Sequence, residues 1–142
     1  MKSSYRPLSV LLVEDNKDHV NILRLVLGKV HSGIDLLHAP DGETVIESLG
    51  VKSASRLPDI ILMDLNLPKV SGLELLKFIR RESHLKHIPV LMLSSSNRPE
   101  DVHDAYWHGA NTFLNKAIIF DDFETTARRI IEYWAAIALL PR

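Results

Sequence analysis

Five short aliphatic runs, SVLLVED, IDLLHAP, DIILMDL, PVLMLSS and NTFLNKA, recur along the chain, and an amphipathic segment follows each of them. This alternation constrains the fold more than any other feature. Runs without polar alternation suit strands covered on both faces, and amphipathic segments between them supply that cover. Strands separated by helix-length connections pair in parallel. Helical spacing is kept by Leu23, Val26, Leu27 and Val30, by Leu75, Leu76 and Ile79, by Val102, Ala105 and Tyr106, and by Ala127, Ile130, Ile131 and Trp134. A shorter helix is expected through Val45, Ile46 and Leu49. The expectation is an α/β fold: a doubly wound five-stranded parallel sheet with five helices on both faces and right-handed crossovers. Gly50 to Pro58, with its serines, reads as a surface loop, and Gly28 as a helix-end signal or a packing accommodation.

A length of 142 residues suits one domain with one sizeable core. A net charge of −1 argues against the basic footprint of a nucleic-acid binder. The chain has no cysteine, which excludes disulfides and thiol chemistry and suits a reducing compartment. Its longest apolar stretch, Trp134 to Leu140, is far short of a membrane span, and its N-terminus lacks a signal-peptide core. A cytoplasmic protein that contacts neither membrane nor nucleic acid is expected.

In parallel sheets of this kind, sites form beyond the carboxyl ends of the strands. The first run ends in Glu14 and Asp15, the third in Asp64, the fourth in Ser94 to Ser96, and the fifth in Lys116. Three acids, hydroxyls and one cation would therefore gather at one edge. Clustered carboxylates repel one another unless a cation joins them. Mg²⁺ is the natural candidate, since it takes hard oxygen ligands and retains waters. Asp15, Asp64 and the backbone carbonyl of Asn66 could hold it, with Glu14 in support. Asp64, flanked by the metal and Lys116, could then attack a phosphoryl donor, and a hydroxyl of the triple serine, Ser94 by register with Ser95 and Ser96 as alternatives, could donate to one of the new oxygens.

Taken together, the acidic pair Glu14 and Asp15, the MDLNLPKVSG segment around Asp64, Ser94 after PVLML, and Lys116 after TFLN resemble the receiver domains of two-component response regulators, over nearly the whole chain. The resemblance implies a flavodoxin-like fold with strand order 2-1-3-4-5. It implies phosphorylation of Asp64 by a sensor histidine kinase, with Mg²⁺ as cofactor. Receivers are phospho-acceptors with self-catalysed phosphotransfer and autodephosphorylation, not enzymes acting on a separate substrate. A switch is implied as well, in which Ser94 moves toward the phosphate and Phe113 repacks. LLVEDN, DLNLPK and the tail IIEYW followed by LLPR resemble the stand-alone regulators of phytochrome-type light-sensing kinases. Residues 1–142 are then expected to be a single receiver domain without an output domain.

Two residues depart from the family pattern. Ala117 follows Lys116 where proline is common, and a cis peptide at alanine would cost roughly 3 kcal/mol. Phe113 stands where tyrosine is frequent. Two other functions compete: an aspartate-nucleophile phosphohydrolase, for which Asn66 replaces the second acid such enzymes commonly need, and a receiver that docks partners without taking phosphate.

Elsewhere, His84 and His87 have metal-ligand spacing but no carboxylate partner, so a solvated loop is the expectation there. Acids near the first helix could serve only as its cap, and Ser96 could cap the fourth. From Ile130 to Leu140 only Glu132 is charged, so the last helix would be apolar on most sides. Either Leu139 and Leu140 fold back on the core, or this helix and the fourth helix form a homodimer face.

Overall fold

The computed structural model describes residues 5–51 and 56–141. Strands β1 (Leu8–Val13), β2 (Ile34–Ala39), β3 (Ile60–Asp64), β4 (Val90–Ser94) and β5 (Thr112–Asn115) form one parallel sheet in the order β2-β1-β3-β4-β5. Every residue of β1, β3 and β4 is buried, whereas the edge strands β2 and β5 are partly open. This matches the unbroken aliphatic runs, because only a central strand is covered on both faces. The helices are α1 (Lys17–Val30), α2 (Gly42–Leu49), α3 (Gly72–Arg81), α4 (Pro99–Trp107), α5 (Lys116–Asp121) and α6 (Phe123–Glu132), and a π-turn follows over Tyr133–Ile137.

Alternate residues of the central strands feed two separate cores. Leu11, Val13, Ile61, Met63, Val90 and Met92 pack with residues of α2, α3 and α4. Leu8, Val10, Leu12, Ile60, Leu62 and Leu91 pack with residues of α1, α5 and α6. The period-two geometry of a strand sends neighbouring side chains to opposite faces, so helices on both sides are required.

Three expectations need correction. Where one last helix was expected there are two, because Asp122 leaves the helical path at φ −137°, ψ 79° and its carboxylate accepts from Thr125 N at 3.3 Å, capping α6. Gly28 is exposed inside α1, which runs on to Val30, and a Cβ added there meets nothing within 4 Å, so it neither ends the helix nor relieves a contact. Of the tail leucines, Leu140 packs on the α1/α6 core while Leu139 is 90% exposed. Within the expected loop, Gly50 closes α2 and residues 56–58 lack regular structure, while Lys52 to Ser55 lie outside the described residues.

Candidate active site

The residues that follow β1, β3 and β5 converge because the three strands run parallel and end together. Glu14 continues the ladder beyond β1, its N–H donating to Ala39 O at 3.1 Å and its carbonyl meeting a ring nitrogen of His38 at 2.8 Å. Its side chain is buried, leaving the residue 1% exposed, whereas Asp15 is exposed. Neither acid caps α1. Asn16 does, accepting from Asp18 N at 2.9 Å and His19 N at 3.3 Å.

Asp64 closes β3 and is 5% exposed. Its Oδ1 accepts from Asn66 N at 3.0 Å, and the bond from Gly72 N to Leu65 O at 2.9 Å draws the start of α3 against the strand end. Glycine is required at that crossing, since a Cβ on residue 72 would lie 2.3 Å from Asp64 O and 2.7 Å from Leu65 Cα. Asn66 itself is exposed.

Lys116 enters from the far side of the sheet. Its buried Nζ donates to Glu14 Oε1 at 2.6 Å and to Asp64 Oδ2 at 3.0 Å. Helix α5 starts at this lysine because Asn115 Oδ1 accepts from Ala117 N at 2.8 Å. No peptide bond among the described residues is cis, so the Lys116–Ala117 link is trans.

Ser94 ends β4 fully buried, one position beyond Leu93, the partner of Asp64 in register. Its Oγ accepts from Ser96 N at 3.0 Å. Ser95 is exposed, and Ser96 is bound to α4 through Asp101 Oδ2 at 2.7 Å and Arg98 N at 3.1 Å, so among the three serines the buried strand-end position belongs to Ser94. Phe113 packs partly buried against the α2/α3/α4 core, and its N–H donates to Tyr106 Oη at 3.2 Å.

Burial raises the Glu14 pKa, opposed by the hydrogen bond from Lys116 and reinforced by the nearby Asp64 charge. Burial works against the charged Lys116, yet its bonds to Glu14 and Asp64 outweigh that cost and raise its pKa. One cation thus holds two buried acids together. Glu14, Asp15 and Asp64 each offer a carboxylate oxygen, and these lie within 4.8 Å of one another. A hard-oxygen donor set of this size fits a divalent ion such as Mg²⁺ or Mn²⁺. Sequence reasoning missed His19, whose Nδ1 lies 3.3 Å from Lys116 Nζ. Histidine in the first turn of a helix gives no local signal of such a contact.

The model of the response regulator receiver domain matches residues 10–128. The chain belongs to the response regulator receiver family. The receiver is 33% identical over 138 residues to the response regulator Rcp1 of Synechocystis sp., covering 95% of this chain and 94% of that one. It is 34% identical over 130 residues to the probable methanogenesis regulatory protein FilR2 of Methanothrix harundinacea, covering 90% and 84%. Among solved structures, the phosphorylated cyanobacterial phytochrome response regulator RcpA superposes with a TM-score of 0.85 at 30% identity, covering 95% of this chain and 99% of that one. The Mn²⁺-bound form of Rcp1 also superposes at 0.85, with 32% identity over 96% of this chain and 100% of that one. Receivers are in general phospho-acceptors that work with sensor histidine kinases, and membership in the family favours neither the phosphohydrolase nor the docking-only alternative. No helix among the described residues is long and apolar enough to cross a membrane.

Proposed function

We propose that this receiver takes a phosphoryl group onto Asp64 from a phosphohistidine of a sensor kinase of the phytochrome type, in the cytoplasm, and relays a signal by the change that follows. The observation that carries this reading is the Lys116 ammonium 3.0 Å from Asp64 Oδ2, beside three acids able to share one metal ion. The likeness to Rcp1 and RcpA supports the choice of kinase. In the transfer, an Asp64 carboxylate oxygen forms a bond to phosphorus as the bond from phosphorus to the imidazole nitrogen breaks. The imidazole leaves with the electron pair. Attack by water on the same phosphorus later returns Asp64 and inorganic phosphate.

Asp15, Asp64 and the Asn66 carbonyl would hold Mg²⁺, with Glu14 in support. The ion, when bound, neutralises charge on the transferring oxygens. Lys116 stabilises the same charge from the other side, and Ser94 donates its hydroxyl to a phosphoryl oxygen. Phe113 is the residue whose packing follows that movement of Ser94. Intact-mass measurement after incubation with Mg²⁺ and acetyl phosphate tests the reading. One added phosphoryl group, lost in Asp64→Asn, is expected, and an unmodified wild-type protein overturns it.

We further propose a homodimer through α4 and the segment from α6 onward. Trp107 is 77% exposed, and Tyr106, Tyr133, Ile137 and Leu139 are also open. A two-fold contact is the simplest arrangement that would cover them. Solution mass at micromolar concentration is the check, and a monomer there removes the idea.

A further inference from the structure

The Lys116 ammonium carries three hydrogens, and the structure offers three acceptors. They are Glu14 Oε1 at 2.6 Å, Asp64 Oδ2 at 3.0 Å and His19 Nδ1 at 3.3 Å. An ammonium only donates, so a hydrogen bond between the two requires Nδ1 to present its lone pair, with the ring hydrogen on Nε2. Glu14 Oε1 lies 3.5 Å from the same Nδ1 and receives nothing from it in that tautomer.

The imidazole is fixed from its other side by Phe120, with ring centroids 4.6 Å apart and planes tilted by 35°. Phe120 follows Lys116 by one helical turn, so the two share a face of α5. The start of that helix is capped by Asn115, whose Oδ1 accepts from Ala117 N, a bond a proline at 117 could not give.

We propose that His19 is a positioning residue for phosphoryl transfer at Asp64. It supplies the neutral third acceptor that holds the Lys116 ammonium in place and gives it up when a phosphoryl oxygen arrives. The bonds to the two carboxylates join opposite charges at 2.6 and 3.0 Å, whereas the bond to His19 is longer, at 3.3 Å, and its acceptor carries no negative charge, so it is the one surrendered at least cost. Lys116 can then turn one hydrogen to the incoming oxygen without leaving Glu14. This role rests on Asp64 being the phosphoryl acceptor.

The test compares wild type, His19→Phe and His19→Asn. Phenylalanine keeps a ring against Phe120 but has no acceptor, while asparagine returns an acceptor oxygen near the place of Nδ1. Initial rates of phosphoryl gain are measured against acetyl phosphate concentration with Mg²⁺, and the ¹⁵N resonance of the Lys116 ammonium is followed without any phosphoryl donor. His19→Phe is expected to lower the saturating rate about tenfold and leave the half-saturating concentration unchanged, as for a displaced charge-stabilising donor. His19→Asn should recover the rate to within about threefold of wild type and restore the ammonium resonance that His19→Phe shifts. A His19→Phe rate within about twofold of wild type, equal losses in both variants, or an unmoved resonance overturns the role while leaving phosphorylation of Asp64 intact. A wild-type protein that takes no phosphate overturns both. If His19→Phe lacks a cooperative thermal transition, His19→Leu makes the same comparison.

Discussion

Glu14 Oε1 and Lys116 Nζ meet at 2.6 Å where neither residue is more than 6% exposed. The pair sits in the same buried cluster as Asp64, so its value depends on all three members being present. Removing one partner of a buried pair leaves an uncompensated charge. Lys116→Met strands two carboxylates at once, and it should lower stability by about 3 kcal/mol or more in chemical denaturation at neutral pH. Added Mg²⁺ should recover part of that loss in Lys116→Met. A variant as stable as wild type would show that the acids do not depend on the lysine.

Gly72→Ala tests the crossing of α3 over the end of β3. An added methyl at 2.3 Å from Asp64 O cannot fit without moving backbone. Stability should fall by about 2 kcal/mol or more, by the strain of overpacking. Phosphoryl gain from acetyl phosphate should fall as well, because the atom displaced belongs to Asp64.

The reverse outcome is expected at Gly28. Alanine there meets open space inside a regular helix, so the change should stabilise the protein by roughly 0.5–1 kcal/mol, the difference in helix propensity. The denaturation midpoint should rise with phosphoryl chemistry unchanged.

Asp41 provides a pH dependence whose sign is fixed by its hydrogen bonds. Thr44 donates to its carboxylate from the backbone N–H and then from the hydroxyl, holding its pKa below the ordinary 3.8. A carboxylate depressed in the folded state contributes stability above its unfolded pKa and loses it as pH falls through the folded one. Asp41→Ala should therefore melt earlier than wild type at neutral pH, and the gap should close in acid below 3.8. Thermal melts of both proteins across that range decide it.

The sheet was legible in the sequence because burial on two faces leaves no position for a polar residue, as in IILM of β3 and VLML of β4. The convergence of Asp64 and Lys116 was legible for a related reason: strands that run parallel end at one edge. The break before α6 was not, since its signal is one aspartate, Asp122, that caps a helix only once the backbone has turned. His19 was hidden differently. Nothing near it in the chain distinguishes a solvated histidine from one facing a lysine across 97 positions, and only the direction of α1 relative to α5 settles the matter.

The tail after α6 returns to the beginning of the chain, where Arg6 N donates to Ala135 O at 2.9 Å and the Arg6 guanidinium reaches Ala138 O. This lacing joins the amino end of β1, a full strand length of roughly 20 Å from its acidic edge. Tethers or dyes attached at Arg6 and Ala138 would share one anchorage, at the end of the sheet opposite its acidic edge. Pulling Arg6 and Ala138 apart would load this lace before β3, the strand that carries Asp64.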